Sequence, residues 1–395
     1  MSGKLRGLFS LISVAVLAAA CSSGASPSPT GAPSATASAA TSASASTSAS
    51  ASTSAASSPS LKIGVVTDVG SITDKNFNQY SYEGAKAAAA ALGATVNYVV
   101  PADASDYTKD IQGFVDQNYN VIVTVGFNLG DATITAAKAN PNIWFIAVDV
   151  APCVTAAGAP DSTFACKGDA ATLLPKLIGI QFQEDQAGYL AGMVAAAVSK
   201  TGVIGMIGGV NNNPAVVRYM QGFQLGAVAY KASTQVKSAF FSTGDVTKAY
   251  GDPTWGKTFG AQFITQQHVD VLFPVAGATG NAALDAACTA GITAVGVDVD
   301  EFLSYPSADK CIVTSAEKHL SNSVQQTIAA IAAGSAKGGI LKFNAANDGV
   351  GISPFENTSI TLPSDLQGKL DTALAAMKAG TLTTCPTKCG TWSGQ

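Results

Sequence analysis

Charge is scarce in this chain. Of its 395 residues only 12% are Asp, Glu, Lys or Arg, about half the share of an average globular protein. Arginine is nearly absent, occurring only as Arg6 and Arg218. Guanidinium forks are the usual clamps for carboxylates and phosphates, so their scarcity favours a neutral polar ligand over an anion. The formal net charge is -4. No basic surface is available to neutralise phosphates, which argues against nucleic acid as a partner. Histidine is as rare, with only His268 and His319, and a histidine-based triad is not expected. The chain also lacks GxSxG, HExxH, GxGxxG and CxxC. No catalytic chemistry, metal or cofactor is therefore expected.

What is present begins with an address. Lys4 and Arg6 precede an apolar run at 8–20 that ends in Ala18-Ala19-Ala20-Cys21. A charged start, a short apolar core and small residues before a cleavage point describe an export signal over 1–20, too short to span a bilayer comfortably. A cysteine directly after the small residues resembles a bacterial lipobox, in which Cys21 is acylated and holds the protein on the membrane. Positions 22–60 contain only Ser, Ala, Thr, Gly and Pro. Such a segment has nothing to bury, so 21–60 is expected to be a disordered tether with a root-mean-square span on the order of 35 Å. The expected location is the extracytoplasmic face of the cell membrane.

Six further cysteines remain, and an even count in an exported chain reads as disulfides. The spacing favours neighbours: Cys153 with Cys166, Cys288 with Cys311, and Cys385 with Cys389.

From Leu61 onward short β-branched runs alternate with alanine-rich helical stretches. Strands are predicted at 63–67, 95–100, 121–125 and 144–149, with helices at 78–92, 107–118 and 131–139. A second series follows, with strands at 203–207, 238–242, 271–275, 293–297 and 312–315. Its helices are predicted at 214–230, 255–267, 280–290, 318–333 and 364–379. This rhythm implies an α/β protein of two doubly wound parallel-sheet lobes with a cleft between them. The first lobe is assigned 61–172 plus about 298–330, and the second 173–297 plus about 331–395.

Ligands of open parallel sheets bind beyond the carboxyl ends of the strands. Those ends carry Asp68, Gly126-Phe127 and Asp149 in the first series, and Gly208-Gly209, Gly277 and Asp298 in the second. Carboxylates accept hydroxyl donors, although each Asp could instead cap a helix. Phe77, Phe127, Tyr250 and Trp255 could sandwich a flat base, or simply pack. One catalytic-looking motif occurs: Gly251 to Thr258 reads GDPTWGKT and satisfies the P-loop pattern. Its context argues against phosphate binding, because turn-like sequence separates it from the preceding strand.

The run Val66-Thr67-Asp68-Val69-Gly70-Ser71-Ile72-Thr73-Asp74-Lys75-Asn76-Phe77-Asn78-Gln79, with Glu83-Gly84 after it, resembles the opening of the basic membrane protein family. Further similar stretches are Val125-Gly126-Phe127, positions 183–192, Lys200-Thr201-Gly202, Ile207-Gly208-Gly209, positions 276–281, Gly296-Val297-Asp298-Val299-Asp300, Thr314-Ser315 and Asp348-Gly349-Val350-Gly351. The family comprises lipoprotein substrate-binding subunits of ABC transporters for nucleosides. The resemblance implies a type I periplasmic-binding-protein fold whose two lobes close on a ligand. It implies that Phe77 stacks on one face of a purine and Tyr250 on the other, with Trp255 the alternative where the loop at 244–251 is longer than usual. Asn78 and Asp68 would bond the base, Asp298 the ribose hydroxyls, and Asp149 and Lys318 would add polar contacts. The implied partners are a nucleoside, an ABC permease and the membrane through Cys21, with the binder itself a monomer. Two other readings are a sugar or small signal-molecule receptor of the same fold, and a nucleoside-cleaving enzyme. The enzyme would need a metal site at Asp298, Asp300 and Glu301, which strand alternation sends to opposite faces.

Overall fold

The computed structural model describes residues 61–68 and 70–393. The export signal, Cys21 and the 21–60 tether lie outside the described residues.

The first run of elements is β1 (Lys62–Val66), α1 (Phe77–Leu92), β2 (Thr95–Val99), α2 (Tyr107–Asp116), β3 (Val121–Val125), α3 (Gly130–Ala139), β4 (Trp144–Val148), α4 (Ala170–Leu173) and β5 (Leu177–Phe182). The second is α5 (Glu184–Val198), β6 (Val203–Gly208), α6 (Pro214–Tyr230), β7 (Gln235–Phe240), α7 (Val246–Tyr250), α8 (Pro253–Gln267), β8 (Val271–Val275), α9 (Gly277–Ala290), β9 (Thr293–Asp298), α10 (Glu301–Ser304) and β10 (Ile312–Lys318). The chain continues through α11 (Leu320–Ala332), β11 (Gly339–Phe343), β12 (Val350–Ile352) and α12 (Leu366–Lys378).

Two six-stranded sheets result, ordered β11-β5-β4-β3-β1-β2 and β12-β10-β9-β8-β6-β7. All pairings are parallel except β12 on β10. Central strands such as VIVTV in β3 and VLFPV in β8 are buried at every position, which is why they read as unbroken apolar runs. Each sheet reverses its strand order once, between β1 and β3 in the first and between β6 and β8 in the second.

Sheet membership corrects the expected boundaries. β9 ends at Asp298 and β10 covers Ile312–Lys318, and both bond into the second sheet, whereas β11 joins the first. Most of 298–318 thus belongs with the second lobe, and 339–343 with the first. The chain passes between the sheets three times, after β5, after β10 and after β11. The helix expected from 318 starts at Leu320, which leaves Lys318 as the last residue of a strand. The strand expected at 238–242 lies earlier, as β7. The spacing predicts neither α5 nor β5, β11 and β12. α5 is buried on nearly every face, so it has no amphipathic period to read. β11 is a partly exposed edge, and β12 has three residues.

The three neighbour disulfides are formed, with Cα–Cα separations of 4.7 Å for Cys153–Cys166 and 5.4 Å for both Cys288–Cys311 and Cys385–Cys389.

α5 and α6 cross backbone to backbone. A Cβ at Gly226 would lie 1.8 Å from the Tyr189 carbonyl oxygen, and one at Gly192 2.0 Å from that of Phe223. Gly226→Ala is therefore expected to cost about 1–3 kcal/mol by overpacking. Gly113→Ala on α2, where a Cβ would meet nothing within 4 Å, should instead stabilise by up to about 1 kcal/mol. Urea midpoints that move alike in the two variants would refute the close crossing.

Candidate ligand-binding cleft

Both switch points face a cavity lined from the two lobes, and ligand sites of such folds lie in this position. The first lobe contributes Asp68, Phe77, Asn78, Phe127 and Asp149, and the second Tyr250, Gly277, Asp298 and Lys318. Nine of the ten expected ligand contacts are thus brought together.

Trp255 is the exception. It lies in the first turn of α8, donates its indole N–H to the Phe241 carbonyl at 2.9 Å, and carries Lys248 Nζ 3.9 Å from its ring centroid. It is not part of the cavity lining. Tyr250 is there instead, resting against Gly209: a Cβ on that glycine would be 2.3 Å from the Tyr250 ring. Asn213 donates to the Tyr250 hydroxyl at 3.2 Å. The GDPTWGKT motif forms no phosphate loop. α8 begins inside it at Pro253, and Asp252 caps the Trp255 amide at 2.9 Å, filling the helix N-terminus with the chain's own carboxylate.

The strand-end acids are not helix caps. The first turn of α1 is held by Asp74, whose oxygens accept from the amides of Asn78 and Gln79 at 2.9 and 3.1 Å. α10 is capped by Asp300. Asp68 instead accepts from the Tyr107 hydroxyl and from Asn128 Nδ2 at 2.9 Å. It fits because Gly126, at φ 120°, has no Cβ, which would lie 2.7 Å from Asp68 Oδ2.

Asp149 follows β4 and Asp298 ends β9, the corresponding strand of the other sheet, and both take the left-handed conformation, at φ 61° and 67°. Aspartate tolerates this region better than most residues. The two acids meet on Lys318, whose Nζ lies 2.6 Å from Asp149 Oδ2 and 3.3 Å from Asp298 Oδ1. The same ammonium stands 4.5 Å from the Phe77 ring centroid. Burial alone would depress the Lys318 pKa, but Asp149, Asp298 and Glu184 together raise it above the ordinary lysine value. Burial raises the Asp298 pKa, with Lys318 opposing and Asp149 adding to the rise. Lys318 therefore stays charged. Two cleft acceptors, Asn78 Oδ1 and Asp149 Oδ1, are buried without a hydrogen-bond partner among the described residues, as donors on a ligand would require.

Arg218 does not reach the cleft. It pairs with buried Glu184 at 2.6 Å. Cleft residues that the sequence reading passed over include Asp74, Asn213, Val216 and Tyr219. Asn213-Pro214 is a helix-start signature directly beyond a strand end and could have been noticed.

The family model described as ABC transporter substrate-binding protein PnrA-like (Bmp) matches residues 61–376. The chain belongs to this family. Substrate-binding proteins of this kind are not enzymes, and those of ABC importers work outside the cytoplasm with a permease. Among curated proteins, the chain is 28% identical over 317 residues to the ABC transporter nucleoside-binding protein BmpA of Lactococcus lactis subsp. cremoris, covering 75% of this chain and 83% of that one. It is 28% identical over 247 residues to Basic membrane protein D of Borreliella burgdorferi, covering 62% and 64% respectively. Among solved structures, an ABC transporter solute-binding protein from Aeropyrum pernix K1 superposes with a TM-score of 0.68 at 20% identity, covering 83% of this chain and 94% of that one. One from Conexibacter woesei gives 0.61 at 20% identity, with 82% and 98% covered. The fold is that of the periplasmic solute-binding proteins. Among the described residues no helix is long and apolar enough to cross a membrane.

In this Bmp-family chain the lobes also meet through Asn76 beside Phe77. Its Nδ2 donates to Glu301 Oε1 at 2.9 Å, while Val297 N donates to Glu301 Oε2 at 2.9 Å. Burial pushes the Glu301 carboxyl up to about 8, opposed by the Val297 amide and reinforced by Asp298. The folded state therefore binds this proton more tightly than the unfolded chain. The resulting stability is complete below the ordinary glutamate range and declines as pH rises toward 8, by at most about 1.4 kcal/mol per pH unit. Urea unfolding from about pH 5 to pH 8 should show a shallower decline in Glu301→Gln than in the wild type. Parallel declines would mean that Glu301 does not titrate in this interval.

Proposed function

We propose that this protein captures a nucleoside, preferentially a purine nucleoside, between its lobes and delivers it to an ABC permease while held to the membrane through a lipid on Cys21. The observation that carries the reading is the meeting of Asp149 and Asp298, from corresponding strand ends of opposite lobes, on one buried lysine beside the Phe77 ring. Carboxylates with spare lone pairs suit ribose hydroxyls. Lys318 stands over one face of Phe77, and the other face suits a base, with Tyr250 on the opposite lobe. Asn78 Oδ1 provides an acceptor for a base N–H. The named relative from Lactococcus lactis, a nucleoside-binding protein, supports the same class.

The charges favour the nucleoside over its phosphate. Asp149, Asp298 and Lys318 sum to one negative charge, and the arginine of the described residues is engaged by Glu184. A phosphate entering this cleft would meet no free guanidinium.

Calorimetry with inosine, guanosine, adenosine, cytidine, uridine, ribose and inosine monophosphate tests the proposal. Purine nucleosides should bind most tightly, and the monophosphate more weakly than inosine. Affinities no better than about a millimolar for every nucleoside, about -4 kcal/mol, would end the assignment. Phe77→Ala should weaken inosine binding by about 1–3 kcal/mol, the usual worth of one base stacked on an aromatic ring.

A further inference from the structure

The family match stops at residue 376, yet the stretch that follows α12 is fastened to the second lobe at four places. Gln221 of α6, itself buried, donates through Nε2 to the carbonyls of Lys388 and Thr391 at 3.2 and 3.0 Å, and its Oε1 accepts from Gly390 N at 2.8 Å. Thr384 donates to Asp185 in the first turn of α5. Trp392 meets Phe240, the last residue of β7, edge to face at 5.1 Å. Gly390 lies against α6, where a Cβ would be 3.2 Å from Pro214 Cβ and 3.3 Å from Arg218 Nη1. The Cys385–Cys389 bridge closes this stretch into a loop.

α6 has two working faces. Asn213 at its N-terminus holds the Tyr250 hydroxyl, and Val216 and Tyr219 line the cleft. Pro214, Arg218 and Gln221 recur at i, i+4 and i+7 and form a separate stripe, the one the tail covers. A rigid helix transmits a shift on one stripe to the other. Beneath the tail, Arg218 keeps only 11% of its side chain exposed against fully buried Glu184, and the Glu184 charge is in turn one of those that hold Lys318 protonated.

We infer that the disulfide-closed tail, residues 380–393, is a positioning clasp for the ligand cleft. It fixes α6 so that Asn213, Val216 and Tyr219 present a preformed wall, and it covers the buried Arg218–Glu184 pair. Gln221 is its principal anchor and does not line the cleft.

Two variants test this, the double substitution Cys385→Ser with Cys389→Ser, and Gln221→Ala. The inference uses the nucleoside reading only in taking inosine as the probe. Both variants should bind inosine about tenfold more weakly by calorimetry, within the range that changes remote from a ligand produce. In the ligand-free proteins, hydrogen exchange should quicken over 213–220 and stay at wild-type rates over 62–125 of the first lobe. Unaltered exchange over 213–220, or equal acceleration in both segments as simple destabilisation would give, overturns the clasp. So does wild-type inosine affinity in both variants. Should the wild-type protein bind none of the nucleosides, the nucleoside reading falls, and the exchange contrast between the two segments alone decides for or against the clasp.

Discussion

The ammonium of Lys318 is shared by carboxylates from two lobes, and the geometry of the cleft follows from that sharing. At an effective dielectric of about 20, each contact near 3 Å is worth roughly 5 kcal/mol, while taking each ion out of water costs several kcal/mol. These terms nearly cancel, so the cluster adds little net stability. What it adds is a preferred arrangement. Lys318 and Asp298 belong to the second sheet and Asp149 to the first, so the 2.6 Å contact holds only while the lobes are together. A ligand that donated to the second oxygen of Asp149 would reinforce the same arrangement.

A contact shared across two lobes needs lobes that keep their shape. The glycine-mediated crossing of α5 and α6 supplies this in the second lobe, because two backbones in contact leave no side chains free to repack. α1 and α11 do the same in the first lobe, where Ser321 donates to the Tyr80 carbonyl at 2.7 Å. α1 is also the helix that carries Phe77 and Asn78 at its start. The hydrogen bond from Asn76 to Glu301 then ties the base of that helix to the facing lobe. The polar links between lobes therefore converge around the residues that would grip the ligand.

The layers of the fold could be read from the sequence because buried parallel strands leave an unmistakable local trace, as in Val121–Val125 and Val271–Val275. The strand-end acids were visible for a related reason, since their position relative to those strands is itself local. Neighbouring cysteines were paired by proximity along the chain. What the sequence hid depends on partners far away. Lys318 looks like the start of a helix until its carboxylate partner, 169 positions earlier, is known. Asn76 and Glu301 are 225 positions apart. Which sheet 298–318 joins depends on strand partners far along the chain, and that choice has no local signature. Trp255 is an aromatic only five positions from Tyr250, yet it sits in the first turn of α8 with its indole bonded to the distant Phe241 carbonyl and stays out of the cleft.

The internal neutralisation of Lys318 bears on the surroundings in which such a protein can work. Mobile ions weaken attractions between groups separated by more than the Debye length, about 8 Å at physiological ionic strength. The Lys318 contacts, at 2.6 and 3.3 Å and shut away from solvent, lie far inside that distance. The attraction that joins the two lobes at Lys318 is thus little affected by the salinity of the medium.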